Sequence, residues 1–193
     1  MAAGLTREAV HVELDARTDV VDFPGFADVR DEGRKTSAAG LTQYLSQGGY
    51  YSLLFVMTLR EGGRFDWGQI DFIRRVLHAA PEFKQGFFNA RFGILLNQVP
   101  NRIAKHRVQL IQAIHKVFPR CSVYVQDKIQ SLTGTENVLE EIEPLREFVM
   151  SLPSVFLSKK LREVYPETHQ ERAEQTQMKI DELLRNSPLE MRG

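Results

Sequence analysis

The 193-residue chain has one cysteine, one tryptophan and no excess of either charge, with 25 basic side chains against 25 acidic ones. A lone Cys121 excludes an intramolecular disulfide and a cysteine-based zinc cage, and a reduced, cytoplasmic setting is the default for such a chain. Balanced charge removes any whole-molecule attraction to nucleic acid or to an anionic membrane. No apolar run approaches the roughly 18 residues of a spanning helix, so no transmembrane segment is expected. The first residues also lack the basic-then-apolar order of a secretory leader. Repeats and low-complexity tracts are missing, as is the phosphate-cradling pattern Gly-x-x-x-x-Gly-Lys-Ser/Thr.

What is there reads as alternating strands and helices. Ala9 to Leu14 alternates apolar and polar, Asp15 to Thr18 supplies turn chemistry, and Asp19-Val20-Val21 starts a second strand, which together predict a hairpin running into Asp22-Phe23-Pro24-Gly25-Phe26. Tyr51 to Leu59 and Arg91 to Leu96 are near-continuous apolar runs of strand length, the habit of strands covered on both faces in a parallel sheet. Asp66, with Gln69 three residues on, predicts a capped helix with a stripe of Ile70, Ile73, Val76 and Leu77, stopped by Pro81. A second helix is predicted from Arg102 to Val117, turning Ile103, Leu110, Ile111, Ile114 and Val117 inward and Arg102, Lys105, Arg107 and Lys116 outward. A short strand follows at Ser122 to Val125. A third helical stripe runs from Val138 to Leu152, with a kink or restart expected at Pro144. The alternation implies an α/β layer fold. From Ser154 onward the chain turns charged and polar, which predicts a helical extension over residues 153–193.

In this order the elements resemble the P-loop GTPase domain from its second strand onward. The resemblance is nearest to the septin and avirulence-induced, or immunity-associated, branch. The carrying residues are Asp22, Pro24, Gly25 and Phe26, matching an Asp-x-Pro-Gly-Phe motif, together with Arg64-Phe65-Asp66 at the opening of a helix. The resemblance covers residues 9 to 152 and implies a three-layer sandwich with a mostly parallel sheet, forming an incomplete G domain over residues 1–152. It implies GTP or GDP and Mg²⁺ as ligands. By the same resemblance Asp22 holds the Mg²⁺ ion and the backbone N–H of Gly25 reaches the γ-phosphate. Asn97 takes the first place of the base-recognition motif Asn-Lys-x-Asp, and Gln98 stands where its lysine would cover the base.

Departures from the pattern set the expected activity. Pro100 replaces the carboxylate that reads guanine, and without a phosphate loop most of the affinity for nucleotide has no source. Gly33-Arg34-Lys35-Thr36 lies after Asp22 with no strand feeding it, and reads as a solvated, mobile segment. Nucleotide binding and hydrolysis by this chain are expected to be impaired. The sequence is consistent with a truncated product or with a degenerate relative that works as a nucleotide-free interaction module, with a protein partner or a second copy of itself. An unrelated α/β enzyme finds no catalytic set. His106 and His115 are nine residues apart on one helix, which is not a ligand spacing. The run Glu140-Glu141-Ile142-Glu143 reads as an exposed helix face, the pairs Gly48-Gly49 and Gly62-Gly63 as loops, and Cys121 lacks a histidine base nearby in sequence.

Overall fold

In the computed structural model of the protein, the residues described are 10–15, 18–23, 31–84, 90–128, 135–158, 161, 164 and 177–178. The chain divides into two compact units, one of them Ala39–Val164 and the other made of Met1–Ala38 with Tyr165–Gly193. Helix α1, Asp31–Leu45, runs across the boundary.

In the first unit, β1 (Val10–Asp15) and β2 (Thr18–Asp22) form the expected antiparallel hairpin. Val10 pairs with Asp22 and Val12 with Val20, with an irregularity between Glu13 and Asp15. The two strands make a sheet of their own.

The second unit is built on four strands in the order β5-β4-β6-β7. Strands β4 (Leu53–Arg60), β6 (Phe92–Val99) and β7 (Ser122–Asp127) are mutually parallel, and the two-residue β5 (Arg64–Phe65) lies antiparallel against the end of β4. The fold is therefore α/β with a mixed sheet. Parallel neighbours need crossovers, which are supplied by α2 (Trp67–Ala79) between β4 and β6, and by α3 (Asn101–Ala104) with α4 (Arg107–Val117) between β6 and β7.

Register assigns side chains to faces. Phe55, Met57, Phe92, Ile94, Leu96 and Val125 fall on one face and are all buried. Phe92 meets Phe55 edge-on at 5.8 Å and Phe118, just past α4, at 6.1 Å. The opposite face carries Leu54, Val56, Gly93, Leu95 and Tyr124. Part of it is covered by α5 (Thr135–Met150), whose Phe148 lies 5.3 Å from Tyr124, and by Leu152 just beyond. Val56 on this face is 57% exposed, so β6 is covered on both faces as expected and β4 is not.

Four further elements differ from the sequence reading. Residues 31–45, in which the sequence reading saw only a solvated, mobile segment at Gly33-Arg34-Lys35-Thr36, form α1: its buried residues are Ser37, Ala38, Leu41 and Leu45, and the first two are too small to give a strong hydrophobic signal. The helix expected from Arg102 to Val117 is two helices, broken at Lys105 and His106, where the His106 N–H already bonds to the Ile103 carbonyl in a tighter turn. The third helix runs unbroken from Thr135 to Met150 with Pro144 inside it, so there is no restart. Within the segment read as a helical extension, Val155–Leu157 form β8, paired antiparallel with β3 (Gly49–Tyr51).

Candidate functional site

Residues that could act on a ligand gather at the carboxyl ends of the three parallel strands. This is where open α/β sheets leave a crevice, because the strand-to-helix loops diverge there. Beyond β4 the chain makes a 3-10 turn at Glu61–Gly63, forms β5 and enters α2. Asp66 caps α2 as expected, accepting from the Gly68 N–H at 2.9 Å, and also pairs with Arg60 at 2.9 Å. Gln69 does not close the box back onto Asp66. Its Oε1 accepts from the Thr58 N–H at 3.3 Å, on the side of β4 away from β6. Gly63 has φ +76°, and a Cβ there would sit 2.8 Å from Ile103 Cδ1, so the loop after β4 lies directly against α3.

Beyond β6 the backbone is irregular. The ladder to β7 slips between Leu96 and Val99, and Gln98 takes φ +55°, a left-handed conformation that is costly outside glycine. The slip sets Val99 opposite Asp127, and the Lys128 N–H donates to the Val99 carbonyl at 2.9 Å. Asn97 is half-buried on β6 opposite Thr58, and Gln98 is exposed. Both of these expected nucleotide-binding residues therefore stand at the carboxyl end of the middle parallel strand.

A trough of about 500 Å³, open to solvent, follows these strand ends and is lined by Asn101, Ala104, Lys105, Arg107, Val108 and Asp127. Arg107 donates to Asp127 Oδ2 at 2.6 Å, and this hydrogen bond is the main cause holding the guanidinium above its ordinary pKa. Asp127 Oδ1 is buried with no hydrogen-bond partner, as is the neighbouring Gln126 Oε1. The outward basic residues read from sequence are exposed, and Lys105 and Arg107 stand at this trough. Asp127 escaped the sequence reading; its position at the end of a short apolar strand, before Lys128, was the available signal.

Asp22 ends β2 on the hairpin of the first unit, exposed to solvent, while Asn97 and Gln98 belong to the second unit. Gly25 lies outside the described residues. Among the described residues no group of three or more His, Cys, Asp and Glu side chains could hold a metal ion. Cys121 is buried, and burial pushes its thiol up to about 12, so the reactive thiolate is scarce at neutral pH. His115 Nε2 reaches the backbone carbonyl of Cys121 at 3.0 Å rather than its sulfur. Among the described residues no helix is long and apolar enough to cross a membrane. Compared with known protein families, curated proteins and solved structures, the chain matches none.

Proposed function

We propose that the chain is a guanine-nucleotide-binding type of α/β domain, similar to the septin and immunity-associated GTPases, in which nucleotide binding is weak and hydrolysis is lacking. The observation that supports this reading is the succession of an antiparallel hairpin ending in Asp22 and three mutually parallel strands, with Asn97 and Gln98 at the end of the middle one. Weakness follows from the missing phosphate loop and from Pro100, whose ring carries no carboxylate for guanine. In this reading Asp22 engages Mg²⁺, Gly25 the γ-phosphate, and Asn97 and Gln98 the base side, in a reduced, cytoplasmic setting.

Titration of the purified chain with fluorescent GTP and GDP tests it. The expected outcome is saturable, Mg²⁺-dependent binding weaker than about 1 μM, roughly −8 kcal/mol. Asp22→Ala should lower the triphosphate affinity, and Asn97→Ala should lower both. Tighter binding would overturn the reasoning from the missing loop, and equal affinities in wild type and both variants would overturn the residue roles. A second reading, a nucleotide-free interaction module, is favoured by the outward apolar surface of β4 at Val56. Absence of saturable guanine-nucleotide binding would select it.

A further inference from the structure

The chain is neutral as a whole, but its charge is not evenly spread. Between Glu82 and Asp127 there are seven Lys and Arg residues and no Asp or Glu. Part of that excess stands at the carboxyl end of the parallel sheet, where residues 60–67, 101–108 and 127–128 hold six cations against three acids. Two of the acids are already answered, Asp66 by Arg60 at 2.9 Å and Asp127 by Arg107 at 2.6 Å. Arg64, Arg102, Lys105 and Lys128 are exposed and make no ion pair among the described residues. Helices α2 and α4 both begin at this end, so the positive ends of their dipoles add to the same field.

Two exposed apolar side chains share this end. Trp67, the first residue of α2 and the only tryptophan of the chain, is 64% exposed, and so is Val108 in the first turn of α4. The loop that leads to Trp67 and the short α3 that leads to Val108 lie against each other where Gly63 meets Ile103. Single apolar side chains set among cations do not make the core of a protein interface, which is depleted in charge. Nor do they make a single-stranded nucleic-acid platform, which stacks successive bases on several aromatic rings. Trp67 is the one exposed aromatic side chain at this end among the described residues. Tryptophan and an aliphatic side chain among lysines and arginines suit an anionic bilayer: the indole sits at the level of the headgroups, and the cations meet the lipid charge.

We propose that this end of the second unit docks on the surface of an anionic lipid bilayer. Trp67 and Val108 enter the headgroup region, while Arg64, Arg102, Lys105 and Lys128 meet the negative headgroups. Whole-molecule neutrality does not oppose this, because charges more than a Debye length away, about 8 Å at physiological ionic strength, are largely screened. The surface does not rest on the guanine-nucleotide reading, and its test contains no nucleotide.

A single tryptophan makes the fluorescence of the full chain a reporter of this surface alone. The chain would be titrated with vesicles of phosphatidylcholine and with vesicles of equimolar phosphatidylcholine and phosphatidylserine. The expected result is a saturable blue shift of the Trp67 emission, with protection from acrylamide quenching, on the anionic vesicles only, and its loss in high salt. Arg102→Ala, Lys105→Ala and Val108→Glu change exposed side chains and should leave the melting temperature alone, yet each should weaken vesicle binding about fivefold, the scale of one cation near an anionic surface. Lys116→Ala, in the last turn of α4, should change nothing. Trp67→Ala, followed by vesicle sedimentation, should also bind more weakly. The proposal is overturned by an unshifted emission on anionic vesicles, by an equal shift on phosphatidylcholine alone, or by unchanged binding in Arg102→Ala and Lys105→Ala. A shift produced by polyglutamate or by polyuridylate but not by vesicles would overturn it too, and would assign the surface to an acidic protein or to a nucleic acid.

Discussion

Gly93 shows how a single position is dictated by its neighbours. It sits in the middle of β6, where a side chain would normally help a strand, yet a Cβ there would lie 2.7 Å from Leu152 Cδ2 and 3.1 Å from Leu54 Cδ1. Leu152 is 6% exposed and has little room to withdraw. Gly93→Ala should therefore destabilise the domain by about 1–3 kcal/mol, the usual cost of overpacking a filled core, as read from the shift of a urea unfolding midpoint. An unchanged midpoint would mean that the leucine above β6 has a free alternative position. Gly93 could not be singled out from the sequence, because its tight neighbours come from β4 and from the chain beyond α5.

At the level of elements, legibility followed the strength of the local pattern. Strand β6 and helix α2 were readable because Phe92, Ile94, Leu95 and Leu96 make a nearly continuous apolar run and Ile70, Ile73, Val76 and Leu77 repeat at helical spacing; all of these side chains are buried. Helix α1 was hidden by Ser37, Ala38 and Gly40, which weaken the apolar stripe. Strand β8 was hidden because three residues carry too short an alternation to register, and only its partner β3 defines it. Of the candidate site, Asn97, Gln98, Lys105 and Arg107 were visible as letters. The slip in β6 and the unmet oxygen of Asp127 were not, since both arise from pairing between strands. The cap on α2 offers a test at this scale. Asp66→Ala removes both the bond to Gly68 and the pair with Arg60, and should cost about 1 kcal/mol, the usual value of an N-cap. Asp66→Asn should recover most of it in the same denaturation assay, and failure of that rescue would assign the loss to Arg60 instead.

For the molecule as a whole, the telling feature is the outer side of β4. Beyond the two residues paired with β5, no strand adjoins it among the described residues, and Leu53 to Thr58 carry no charge to discourage another chain. Uncharged strand edges promote association. Light scattering of the purified chain should show concentration-dependent self-association, and Val56→Lys should reduce it without lowering the melting temperature, because Val56 already faces solvent. A monodisperse monomer for both proteins would show that this edge is protected.

The pairing of β3 with β8 also has a consequence for the order of events during synthesis. Tyr51 meets Val155, and the Val164 N–H reaches Thr42 Oγ1 at 3.0 Å, so the unit is fastened at its two ends. On a ribosome adding about 5–20 residues per second, Tyr51 waits roughly 5–20 s for its partner to be made. During that interval β4, β6 and α2 can assemble, but the fastening that joins the first and last parts of the unit cannot. A nascent chain stopped short of Val155 should therefore remain open to protease around Gly49–Tyr51, and become resistant only once β8 has left the exit tunnel.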